Sequence, residues 1–140
     1  YIVMDGAAWV LAGYGPKTQW YRNVLADPHV RLRLPARGSI EARAQDVQDP
    51  EVRAWIIPPL ARSLALPGLA LGCFPPLSTD ERILQGASFV PLVRLTPVDG
   101  SQIEVGPDDP GGHGWVWRQA LNLGLTVLVG SLVCRLLRRR

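Results

Sequence analysis

The first twelve residues, YIVMDGAAWVLA, are two apolar runs divided by Asp5-Gly6. Asp-Gly accepts the positive φ angles of a two-residue hairpin turn, which predicts paired strands over residues 1–4 and 7–12. After GYGPK, Thr18 is placed to cap a helix that starts near Gln19, and Pro28 ends it after Asp27. Alternation then takes over. Val30, Leu32 and Leu34 point one way while His29, Arg31 and Arg33 point the other. Beyond a loop at 35–38, Ile40, Ala42 and Ala44 alternate with Glu41, Arg43 and Gln45. This is a second hairpin, with Arg31, Arg33 and Arg43 as its solvated face and Glu41 available to offset them across the pair.

Asp49-Pro50-Glu51 opens a further helix, with proline at the first helical position. Its expected course runs through Trp55 and breaks at Pro58-Pro59, with a second short helix over 60–66. Ser78-x-x-Glu81 has the spacing of a capping box and predicts another short helix. FVPLVRLTPV reads as a strand in which Pro91 marks an edge or a strand start. GPDDPGGHG, at 106–114, has the composition of a linker. The order β-β-α-β-β-α-α-α-β with tight hairpins predicts an α+β fold on antiparallel strands, a small barrel or half-barrel. The expected organisation is a domain over 1–100, a linker over 101–114 and an apolar helix with a basic end over 115–140.

Composition changes this picture in three places. The chain has 140 residues and 47% hydrophobic content, enough for one domain with a sizeable core. Its net charge is +3, but Arg135, Arg138, Arg139 and Arg140 sit in the last six positions. The rest is close to neutral, which excludes a nucleic-acid footprint. Cys73 and Cys134 lie far apart, with His29 and His113 as the only histidines, so no zinc set is spaced for ligation and no metal site is expected. Both cysteines read as reduced, compatible with a cytoplasmic setting. Asp108-Asp109 falls in the linker. Tyr1 opens inside a strand pattern, so the domain is read as lacking its N-terminal part.

The candidate chemistry lies at the corner between the second strand and the first helix. Gly13 and Gly15 allow a ligand close to the backbone, the amides opening the helix favour negative charge, and Lys17 adds a full positive charge. Tyr14, Trp20 and Tyr21 offer flat faces for a fused-ring system. The same residues also suit a glycine turn beside a solvated lysine and two core aromatics, and spacing alone leaves both open. The residues supply no nucleophile elbow, P-loop or base-flanked carboxylate pair.

GYGPKTQWYRNVLADPHVRLRL followed by IEARAQDVQDPEVRA resembles the deazaflavin (F420)-dependent nitroreductase family, within the split β-barrel superfamily of flavin reductases. The matching residues are Ala12-Gly13, the loop 14–17, Trp20-Tyr21-Arg22-Asn23-Val24, Ala26-Asp27-Pro28 and the hairpin over 30–46. The resemblance covers 1–56 well and 90–98 loosely. It implies a split β-barrel and hydride transfer from reduced coenzyme F420 to a quinone or nitro compound. The cofactor carries the chemistry and the protein binds, orients and shields it. Carried over, Gly13, Tyr14, Gly15, Pro16 and Lys17 hold the phosphate or ring edge, and Trp20 and Tyr21 support the ring. Members usually carry an upstream Thr-x-Gly-Arg-x-Ser-Gly segment, and often a serine where Gly13 stands. The segment WIIPPLARSLALPGLALGCFPP is read as a kinked pair of core helices or as an apolar lid. On analogy with split barrels a homodimer is expected. The rival readings are a non-catalytic, membrane-tethered binding module on a degenerate split barrel, and a relative that holds FMN or haem.

The end of the chain stands outside the resemblance. Residues 120–134 are apolar apart from Asn122, Thr126 and Ser131, but fifteen helical residues reach only about 22 Å against a hydrocarbon core of about 30 Å. Extension to 115–137 includes Arg118 and Arg135, which must snorkel. Trp115 and Trp117 on one side and the arginines on the other suit interfacial anchors. Asn122, Thr126, Gly130 and Cys134 form a small-and-polar stripe at every fourth position. A span would put the terminal arginines inside and the domain outside, away from its cofactor. A helix lying on the inner face of the membrane resolves this, giving a cytoplasmic, membrane-associated protein.

Overall fold

The computed structural model describes residues 1–34, 38–64, 71–73, 75–104 and Gly124. Of the expected loop at 35–38, residues 35–37 lie outside the described residues and Gly38 already belongs to a strand. The linker at 106–114, the C-terminal helix apart from Gly124, and Cys134 also lie outside them, and Cys73 is a free thiol.

Asp5 and Gly6 hold φ angles of 52° and 65°, and the turn they form pairs β1 (Ile2–Met4) with β2 (Ala7–Leu11) as expected. The first helix, α1 (Gln19–Ala26), starts where expected and ends one residue earlier, with Asp27 already extended. Its N-terminus departs in one respect: the Thr18 side chain makes no capping bond and instead donates from Oγ1 to the Gly15 carbonyl at 2.7 Å. The Thr18 amide goes to the same carbonyl, so its side chain and amide close the preceding turn, while its carbonyl opens the helix by accepting from the Arg22 amide at 3.1 Å. The second hairpin joins β3 (His29–Leu34) to β4 (Gly38–Val47) in the register Arg31↔Glu41, and those two side chains form an ion pair at 2.6 Å.

The last strand, β5 (Leu92–Pro97), lies between β2 and β4, giving the antiparallel order β1-β2-β5-β4-β3. Pro91 precedes the strand, as one of its two expected positions allowed. The strand is nevertheless central, because the missing N–H falls outside the ladder while the Pro91 carbonyl still accepts from the Ala12 amide. Among the described residues the architecture is α+β, a five-stranded antiparallel sheet with α-helices packed on it, consistent with a split-barrel-like fold.

Alternation gives the sheet two apolar faces. Ile2, Ala7, Trp9, Val47 and Leu92 pack against the helices α2 (Pro50–Leu64) and α3 (Asp80–Gly86) through Ile56, Ile57, Leu60, Ala61 and Ile83. Ala8, Ala44, Val93 and Leu95 turn to the opposite face, where Tyr21 of α1 joins them. Ile103 packs into this second cluster and donates its amide to the Gly6 carbonyl, so the packing continues three residues past position 100.

The helix α2 corrects the expected break at Pro58-Pro59 and the separate helix at 60–66: it runs unbroken from Pro50 to Leu64 with both prolines inside. Each internal proline costs about 3 kcal/mol through its missing N–H and ring clash. Ile56, Ile57 and Leu60 are almost completely buried, each stabilising by about 1.5–3 kcal/mol. Pro58 is itself in the core, so continuity wins. A short 3₁₀ turn at Pro75–Leu77 leads to α3, where a second correction applies. The N-cap is Thr79 and not Ser78, with Thr79 Oγ1 accepting from the Arg82 amide. The cap thus lies one residue later than expected, and Glu81 falls at the second helical position, out of register for a box. No described helix is long and apolar enough to cross a membrane.

Candidate functional site

Two successive turns build the corner between β2 and α1. The Gly15 amide donates to the Ala12 carbonyl at 2.6 Å, and the Thr18 amide to the Gly15 carbonyl at 3.2 Å. Gly15 carries the conformational demand, since its φ of +80° lies where a side chain is strained. Gly13 is different: a Cβ there would meet nothing within 4 Å, so open space lies over its backbone.

The seven predicted site residues fall into four settings. Gly13 and Tyr14 border a groove of about 400 Å³ whose other walls are Tyr1, Val10, Leu11, Leu60, Leu64 and Leu71. Tyr14 is 95% exposed, an aromatic held out in solvent. Pro16 and Lys17 are exposed, and Lys17 makes no ion pair among the described residues. Trp20 opens on a second, wholly apolar groove of about 370 Å³, lined by Val10, Val24, Val30, Leu32 and Leu95. The two grooves share Val10. Gly15 and Tyr21 are buried.

Tyr21 is buried behind the exposed Trp20. Its ring meets Trp20 edge-on, with centroids 6.2 Å apart and an interplanar angle of 83°. Burial pushes its phenol above the ordinary tyrosine value, and the Asp46 carboxylate beside it adds to the shift, against a smaller opposing effect of Arg53. The neutral hydroxyl is therefore the form the fold favours. It supports Trp20 from below instead of offering a face of its own.

Sequence reasoning missed the far walls of the first groove. Leu60 and Leu64 carried only a helical apolar pattern, and Leu71 sat in a proline-rich stretch without periodicity. Their approach to Gly13 follows from the continuity of α2 and from the contact of α3 with the segment at 71. Asp46 was likewise hidden, because an acidic residue late in an alternating strand gives no sign of a tyrosine across the sheet.

An α+β domain with an open antiparallel sheet, a glycine corner and apolar grooves on either side of Val10 defines the class. Within that class the comparison is specific: the model of the F420H(2)-dependent quinone reductase family matches residues 1–64. The match supports a likeness to the deazaflavin-dependent nitroreductase-like family over residues 1–64. That span contains the whole corner and α2. No curated protein and no solved structure matches the chain.

Proposed function

We propose that this protein is an oxidoreductase that uses reduced deazaflavin (F420H2) to reduce a quinone. The observation that carries this reading is the family match across residues 1–64, which ends at Leu64 and thus includes the corner and most walls of the adjoining groove. The residues present suit the cofactor. Open backbone at Gly13, a Lys17 cation without an ion pair among the described residues, and the outward aromatics Tyr14 and Trp20 are the features a flat, anionic coenzyme needs.

When bound, the reduced deazaflavin supplies a hydride, and with one proton from solvent a quinone becomes a quinol. The chain does the remaining work. Gly13, Gly15 and Pro16 shape the seat, Lys17 balances negative charge, Tyr14 and Trp20 flank the ring, and Tyr21 braces Trp20. Leu11, Leu60, Leu64 and Leu71 exclude water and receive an apolar acceptor, in a groove of a size ordinary for small-molecule sites. A nitro compound fits the same apolar groove as a second acceptor. The domain bounds 1–100, 101–114 and 115–140, the homodimer and the interfacial helix at 115–140 complete the proposal from sequence pattern and analogy.

The test is a fluorescence titration of the full chain with oxidised deazaflavin coenzyme, with FMN in parallel, followed by anaerobic quinone reduction. Saturable quenching by the deazaflavin, lost in Lys17→Ala and Trp20→Ala, is expected. Absence of binding, or binding of FMN alone, refutes the reading and leaves a non-catalytic or FMN-dependent split barrel.

A further inference from the structure

Position 89 carries an aromatic ring that neither the sequence pattern nor the proposed cofactor seat uses. Phe89 is 59% exposed and Ser88 before it is exposed too, while Ala87 and Val90 on either side of this pair are at most 1% exposed. The turn that presents it is held by Arg53. One guanidinium nitrogen, Nη2, donates to the Ala87 carbonyl at 3.1 Å and to the Val90 carbonyl at 3.0 Å, while Nη1 donates to Val47 at 3.4 Å. The Val90 amide closes the turn by donating to Ala87 at 3.0 Å. The backbone at Ala87 and Val90 is thus held, and the Phe89 ring stands in solvent between them.

The ring lies against Gly15. A Cβ at Gly15 would have the Phe89 Cδ2 atom as its nearest neighbour, at 4.0 Å. Gly15 is preceded by Tyr14, which is almost wholly exposed. Two solvent-facing aromatics, 75 positions apart in the chain, thus border one glycine turn: Tyr14 precedes Gly15, and the Phe89 ring lies against it. A single exposed phenylalanine is unremarkable on a protein surface. An exposed phenylalanine on a clamped turn, set against the backbone of a glycine corner and next to a second outward aromatic, is a preorganised contact.

We infer that Phe89 is a cofactor-contacting residue, its ring packing on the edge of the flat deazaflavin ring system that the 13–17 loop seats. This inference rests on the functional reading above. It extends the site from residues 13–21 to a turn far along the chain and gives Arg53 a positioning role, through the carbonyls that hold the turn.

The experiment titrates full-length wild type, Phe89→Ala and Phe89→Tyr with oxidised deazaflavin coenzyme, and measures the quinone KM and the thermal midpoint of each. The expected result is a Kd raised about tenfold in Phe89→Ala, as for loss of one aromatic contact, and restored to within about twofold by Phe89→Tyr. The thermal midpoint stays unchanged because the ring is exposed, which separates contact from fold. Unaltered deazaflavin affinity in Phe89→Ala overturns the inference while the functional reading stands. So does a rise confined to the quinone KM, which would assign the ring to the acceptor. A wild type that binds no deazaflavin fails before any variant is compared, and then the functional reading falls and this inference with it.

Discussion

Adding one methyl group at Gly86 tests both the packing of α3 and the shape of the groove. A Cβ at this position would lie 2.0 Å from the Leu71 carbonyl oxygen, 3.1 Å from its carbonyl carbon and 3.4 Å from its Cβ. Real Cβ atoms keep beyond 3.0 Å, so Gly86→Ala requires backbone movement of at least about 1 Å, and the obstacle is main chain, not a side chain that can swing away. Two effects oppose one another. Alanine for glycine favours a helix by up to about 1 kcal/mol, less at the last residue of α3. Overpacking of this kind costs about 1–3 kcal/mol. The clash dominates, and a net loss of about 1–2 kcal/mol lowers the thermal midpoint by roughly 5–10 °C in a domain of this size. Leu71 is also a wall of the groove beside Gly13, so its displacement raises the quinone KM while leaving the deazaflavin Kd unchanged. Thermal melts and urea titrations of the variant give the stability, with Gly13→Ala as a stability control, since that position has open space. A midpoint for Gly86→Ala equal to or above that of the wild type would refute the close approach of α3 to residue 71.

Two further predictions follow from the tyrosine beneath Trp20 and from the end of the chain. The folded-state pKa of Tyr21 is raised, so its contribution is fully present below the unfolded value of about 10 and is lost as pH rises through the higher folded value. Melts between pH 8 and 11.5 should show an alkaline fall that Tyr21→Phe flattens; an identical fall in the variant would rule out Tyr21 as its source. For residues 115–140, sedimentation with anionic phospholipid vesicles should carry the full chain down at low salt and release it on truncation at Glu104. Equal sedimentation of both would place the membrane contact elsewhere.

The parts of the fold that could be read from residues are those governed by near neighbours. Asp5-Gly6 turned as expected because its left-handed geometry is local to two residues. The β3–β4 register followed from alternation, since a slip by one would turn Val30, Leu32 and Leu34 to solvent. The bounds of α1 followed to within one residue from Thr18 and Pro28, although the Thr18 hydroxyl went to a turn instead of a cap. The corner residues were legible as a group. Their division was not: Tyr21 went into the core, Trp20 to one groove, and Gly13 with Tyr14 to another.

Sequence by itself therefore determined the strands and the first helix up to Val47, and which corner between them carries glycine, lysine and aromatics. Turn geometry, alternation and family pattern are properties of contiguous residues, and contiguous residues are what a sequence displays. Tertiary structure decided that α2 continues through Pro58-Pro59, because burial of Ile56, Ile57 and Leu60 outweighs a local penalty. It decided that β5 occupies the centre of the sheet, although it comes last. It also brought Leu60, Leu64, Leu71 and Phe89 to the corner at Gly13 and Gly15. These outcomes depend on free energy gained between distant segments, which no window of the sequence contains.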